Sequence, residues 1–238
     1  MRYVVLLIAL SLSAAGCTMV PGSDDRVAQR GTSGPSYTPV RNADRPVPPT
    51  IRRAGFSPAG GKCLAGLGQA GSRFTPLPDR YYGAGCSTVN AVQLASLRGD
   101  TGEFGLSNAG PVTCQTAAAF AGWARYGVDR AARQILGAPL AKIETMGTYN
   151  CRNVAGSSRR SAHSTADAVD VSAFVLADGR RIDLKQDWDG GSAKEREFLR
   201  VIHRSACKRF GTVLGPEYNA AHRDHFHMEV KQNGSFCR

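Results

Sequence analysis

Histidine is scarce in this chain, five residues in 238. Acidic groups are also few, 19 against 30 lysines and arginines, which leaves a formal charge of +11. A chain so basic is suited to anionic partners. No nucleic-acid motif accompanies that charge, so with the export signal described below nucleic acid is excluded as a partner. The seven cysteines include no close Cys-x-x-Cys pair, which argues against a cysteine-built zinc site. The apolar run Tyr3–Leu12 is too short to span a bilayer, which takes about 20 residues.

Four of the five histidines stand in two places. The stretch Ser161 to Asp170 holds His163, and the stretch His222 to His227 holds His222, His225 and His227. His163 and Asp170 are seven positions apart. On one strand they would face opposite sides, and on one helix they would sit two turns apart. They converge if His163 occupies a loop leading into a strand, and Ala168–Val175 has the β-branched, alternating character of such a strand. His225 and His227 are two apart in a segment that reads as a strand, so their rings share a face. His163, Asp170 and His227 would then offer two imidazoles and a carboxylate to Zn2+. Such a set leaves a fourth position for water, as catalytic zinc sites do.

The pattern Ser161-x-His163-x6-Asp170 followed by His225-x-His227 resembles the signature of the zinc peptidases that cut D-amino-acid peptides of peptidoglycan. That group includes D-Ala-D-Ala carboxypeptidases and penicillin-insensitive murein endopeptidases. From about Cys63 to Arg238 the chain further resembles the bacterial extensin-like C-terminal domain family. Leu214-Gly215-Pro216, His222 to His227, Tyr149-Asn150-Cys151-Arg152, and Thr113-Cys114 ahead of a helix with Trp123 carry that resemblance. The likeness to murein peptidases places His225 where those enzymes keep a catalytic histidine. Asp224 is the rival base, because other zinc peptidases of the group use a carboxylate three residues before the last ligand. On a flat strand Asp224 would face away from His227, so that role requires a bulge. His222 is expected to orient this pair. Arg152 either holds a substrate carboxylate or forms a salt bridge, and Ser161 either bonds substrate or shapes the loop. One departure stands out: family members usually carry glycine three residues after the first zinc histidine, where this chain has Ala166. If the backbone there needs a positive φ, Ala166 is strained.

Arg2, the apolar run and the small residues Ser13 to Gly16 before Cys17 read as an export signal over residues 1–17. Cys17 resembles the lipidated cysteine of a bacterial lipoprotein; the alternative is simple secretion. Residues 18–55 are rich in proline, glycine and arginine with few large apolar groups, and they read as a disordered tether. Residues 56–238 then form one domain. Its six cysteines, Cys63, Cys86, Cys114, Cys151, Cys207 and Cys237, suit three disulfides in an exported protein, with the pairing left open.

Thr113 can cap a helix over Cys114–Leu136, ended by Gly137-Ala138-Pro139, and Ser192-x-x-Glu195 has the form of a capping box before a second helix. Strands are expected at Ile143–Tyr149, Ala168–Val175, Arg181–Leu184, Thr212–Leu214 and Phe226–Val230. These elements suggest an α+β domain, with a small antiparallel sheet carrying the zinc site and helices flanking it.

The expected function is that of a zinc-dependent hydrolase acting on stem peptides or cross-links of peptidoglycan. It would be anchored by lipid in the periplasm, at the outer membrane. The alternative is a metal-containing protein that binds or stabilises the envelope without chemistry. A closed fourth coordination position would favour that alternative.

Overall fold

Residues 57–230 and 235–238 are described by a computed structural model. The expected signal over 1–17, lipidation at Cys17 and the tether over 18–55 lie outside the described residues. The described chain falls within one compact unit, Val47–Arg238. No helix among the described residues is long and apolar enough to cross a membrane.

Helix α1 (Pro58–Gln69) opens with Pro58 at a first-turn position and the Ser57 hydroxyl accepting from Gly60 N–H. Six strands follow: β1 (Arg73–Pro76), β2 (Arg80–Gly83), β3 (Cys86–Thr88), β4 (Ala91–Arg98), β5 (Glu103–Ser107) and β6 (Val112–Thr113). Next come α2 (Cys114–Trp123), β7 (Leu140–Gly147), β8 (Ala168–Leu176), β9 (Arg181–Asp183), α3 (Leu184–Gly190) and α4 (Ala193–Cys207). The chain ends in β10 (Thr212–Leu214), β11 (Phe226–Glu229) and β12 (Phe236–Cys237).

Ten strands join one sheet in the order β1-β4-β5-β7-β8-β11-β10-β12, with β6 beside β4 and β9 beside β8; β2 and β3 form a separate hairpin. Neighbours run antiparallel except β5 with β7 and β10 with β12. The α+β class holds, but the sheet is large and mixed rather than small and antiparallel. Of the missed strands, β1, β2, β3, β5 and β6 are short, and both β1 and β2 are largely exposed, so they lack the alternating apolar pattern by which a half-buried strand is read. By contrast, β4 is eight residues long with Val92, Leu94 and Leu97 buried, and it was overlooked.

The expected helix Cys114–Leu136 is α-helical only to Trp123. Wider π-type turns continue at Ala124–Asp129 and Ala132–Leu136, and Gly137 closes the run at φ 79°. Those turns lie where α4 comes close: a Cβ on Gly127 would collide with Ser205 Oγ, and Trp123 Nε1–H donates to Ile202 O at 2.9 Å. The capping box at Ser192 and Glu195 is formed as expected, and α4 turns Phe198, Leu199, Ile202 and Ala206 inward. The rings of Trp123 and Phe174 meet edge-on at 6.1 Å, and those of Phe174 and Phe198 at 5.5 Å. Each such side chain, fully buried, contributes about 1.5–3 kcal/mol.

This packing decides which face of the sheet carries the histidine cluster. On β8, Val169 and Val171 join the core while Asp170 faces the other way. Glu144 then pairs with Ala173 and Thr145 with Val171, leaving Ser172 as an extra residue. The parity switches there, and Phe174 and Leu176 enter the core. On β11, Phe226 and Met228 are core residues, so His227 and Glu229 project from the opposite face beside Asp170. Three disulfides tie the frame: Cys63–Cys114, Cys86–Cys151 and Cys207–Cys237.

Candidate metal centre

His227 on β11 lies directly opposite Asp170 on β8 in the antiparallel register, which brings their side chains together without any loop. His163 arrives from a single 3-10 turn, Ala162–Thr165, that leads into β8. Ser161 starts the turn by accepting from His163 N–H, and Ala166 ends it at φ 60°, fully buried. The left-handed residue foreseen at this position is present, and alanine bears a cost there that glycine would not.

The three side chains converge. His163 Nε2 lies 3.1 Å from His227 Nδ1, and Asp170 sets one carboxylate oxygen 3.1 Å from His163 Nε2 and the other 2.8 Å from His227 Nδ1. Four-coordinate zinc with bonds of about 2.0–2.2 Å keeps its ligand atoms about 3.3 Å apart, so this set is close to the size required. These three residues satisfy the geometric requirement for holding a metal ion.

The outer ring nitrogens fix the tautomers. His163 Nδ1 is 3.0 Å from the carbonyl of Thr148, which can only accept, so Nδ1 carries the proton. His227 Nε2 is 2.8 Å from the Glu229 carboxylate and donates to it. Both inner nitrogens are then free to present lone pairs toward each other and toward Asp170. Two lone pairs and a carboxylate at this spacing need a cation between them, a proton or a metal. In the metal-free protein the proton takes that role. Burial pulls His227 down, but hydrogen bonds to Asp170 and Glu229 outweigh it and raise His227 to about 9. Burial likewise opposes ionised Asp170, and its close contacts with the rings of His163 and His227 hold its carboxyl well below the usual carboxylate range.

His225 stands just outside this cluster. Its Nδ1 donates to Asp224 at 2.8 Å, and its Nε2 points back toward Asp170 at 3.8 Å. Asp224 reaches His225 rather than the three-atom cluster. His222 closes a short 3-10 turn, Ala220–His222, with Nδ1 donating to Asn219 Oδ1 at 2.7 Å and its ring 5.1 Å from that of His225. Burial, then the nearby charges of His225 and His227, lowers His222 to about 4, so it is neutral at pH 7.

Asp170, His222, His225 and His227 line a cleft of about 570 Å³, together with Arg152, Arg159, Ser161, Tyr218 and Glu229, and His163 is buried against His227 behind that wall. The residues proposed for the site from the sequence therefore gather in one place, with His163 buried behind the cleft wall and Asp224 behind His225. Three contributors were not foreseen: Glu229, Arg159 and the Thr148 carbonyl. Glu229 had a signal, since His225, His227 and Glu229 alternate along one line of sequence. His203 also comes near Cys207 and Cys237, but those two sulfurs are joined to each other and offer no thiolate.

The sequence profile of the extensin-like protein C-terminus family matches residues 61–238. The chain belongs to that family. No curated protein and no solved structure gives a match. The extensin-like match spans every residue of the cleft, both halves of the histidine cluster and all six paired cysteines.

Proposed function

We propose that this extensin-like domain is a zinc-dependent hydrolase of peptide bonds whose substrates are the D-amino-acid-containing stem peptides or cross-links of peptidoglycan. It would work in the periplasm, held at the outer membrane by lipid on Cys17. The observation that carries the reading is the convergence of His163, Asp170 and His227 with both outer ring nitrogens already committed to acceptors. This leaves the inner nitrogens as ligands on one side of an open cleft. The donor set suits zinc, which when bound would supply Lewis acidity toward a carbonyl and toward water.

The chain's own residues divide the remaining work. Thr148 O and Glu229 hold the two ligand rings in orientation. Asp224 holds Nδ1–H of His225, so Nε2 faces the cleft with a lone pair able to take a proton from water and return it to the leaving amine. His225 is thus the base, and Asp224 acts through it. His222, neutral and fixed by Asn219, borders the same space as a hydrogen-bonding group. The alternative of an envelope-binding protein without chemistry has no comparable use for the His225–Asp224 pair.

The test is digestion of purified peptidoglycan. Wild-type protein is expected to release muropeptide products, to stop with a chelator and to resume with zinc. His225→Ala is expected to keep its zinc and lose about 10²–10⁴-fold in rate. Zinc retained with no cleavage by wild type would contradict the hydrolase reading.

A further inference from the structure

Residues 152–161 fold back as a small hairpin beside the metal centre. Val154 N–H donates to Arg159 O at 2.9 Å, Ser161 N–H to Arg152 O at 3.1 Å, and Asn153 bridges Arg160. Alternation along the two arms sorts their side chains. Arg152, Val154, Arg159 and Ser161 share the face that walls the cleft, whereas Arg160 points away and donates to Ala84 O at 2.6 Å. The base of the hairpin is anchored by Cys151 to Cys86.

Among the described residues, neither Arg152 nor Arg159 has an acidic partner within salt-bridge distance. Some other arginines do, as Arg133 with Asp129 and Arg181 with Glu144 and Asp183. The carboxylates that face the cleft are already committed to imidazoles, Asp170 to His163 and His227, and Glu229 to His227. Two exposed, permanently charged groups therefore line the cleft without an ion-pair partner among the described residues. In the hairpin ladder they are diagonal neighbours, about 7–8 Å apart along the backbone, close enough for both guanidinium groups to reach one anion. Arg159 also faces an adjoining recess of about 510 Å³ lined by Gly85, Ser164 and Thr212, so it stands where the cleft continues past the metal ligands.

We propose that Arg159, with Arg152, forms a clamp on the inner face of this hairpin that binds a carboxylate of an acidic peptide substrate beside the metal centre. A planar guanidinium matches a carboxylate with two parallel hydrogen bonds, and two of them set both position and direction of the bound chain. The identity of the ligand as a peptide rests on the hydrolase reading above; the clamp itself rests on the hairpin.

The experiment measures binding to zinc-loaded protein by calorimetry. The probes are a stem-type pentapeptide ending in D-alanyl-D-alanine with its carboxylates free, and the same peptide with every carboxylate amidated. The free acid is expected to bind at least about tenfold more tightly than the amide. Arg159→Ala should remove most of that preference, leave the amide unchanged and keep its zinc; Arg159→Lys should restore part of it. Equal binding of acid and amide, no binding of either, or unchanged preference in Arg159→Ala would each overturn the clamp. So would inorganic phosphate displacing the peptide more readily than acetate does, which would assign the site to phosphate. Because the readout is binding, selective capture of the acid without cleavage would keep the clamp and refute the hydrolase.

Discussion

His227 meets a carboxylate at each ring nitrogen, Asp170 at Nδ1 and Glu229 at Nε2, both at 2.8 Å. In the metal-free protein its raised value has a definite effect on stability. Ionised His227 contributes fully below its ordinary 6.5, and that contribution is lost as pH rises through about 9. Asp170, whose value is lowered, contributes above its ordinary 3.8 and loses its contribution as pH falls toward its folded value. The metal-free domain should therefore draw most from this pair between those two ordinary values. Zinc must displace the Nδ1 proton of His227. Calorimetry at pH 7 in buffers of different ionisation enthalpy should show about one proton released per zinc, with apparent affinity rising about tenfold per pH unit up to about 9. Binding without proton release would contradict a doubly protonated His227 in the metal-free site. Glu229→Gln, which removes the charge behind His227, should weaken zinc binding by about 10–100-fold. An unchanged zinc titration for that variant would remove Glu229 from the site.

The turn that delivers His163 and the two strands that deliver Asp170 and His227 set the site at the scale of elements. Ala166 ends the turn at φ 60° with no exposed surface. Ala166→Val puts a β-branched side chain into that conformation and should cost about 2 kcal/mol or more in urea unfolding. Ala166→Gly relieves about 1–2 kcal/mol of strain but loses about 0.8 kcal/mol of methyl burial and about 0.5–1 kcal/mol in chain entropy. Its net change should stay within about 1 kcal/mol, and equal stability of the valine and glycine variants would contradict the strain. This part of the fold was legible, because bringing together His163 and Asp170, seven positions apart, admits few local structures and the apolar alternation of β8 selects one. The Thr148 carbonyl was not legible, since any residue offers the same group and only the path of β7 brings it to His163. Asp129 was overlooked for a similar reason. It is buried and accepts from the backbone N–H of Leu140 and of Asp100, distant groups that no local pattern connects to it.

Among the described residues the helices cover one face of a ten-stranded sheet, and Asp170, His227 and Glu229 stand on the other. The number of strands was underread because much of the sheet is built from segments of two to five residues, such as β6 and β12, whose partners lie far along the chain. The six cysteines announced three bridges, but their pairing depends on that same long-range layout. Cys63–Cys114 joins α1 to the start of α2 across 51 residues, and replacing both cysteines by serine should lower stability by about 2–4 kcal/mol. A melt unchanged from wild type would show that α1 is held by packing alone.

The central claim is that His163, Asp170 and His227 are the ligands of one zinc ion. The most direct measurement is the zinc content of protein purified without chelator, for wild type and for His163→Ala, with circular dichroism of both. About one zinc per chain is expected in wild type and almost none in the variant, with the fold retained. No zinc in wild type, or the same content in both, would contradict it.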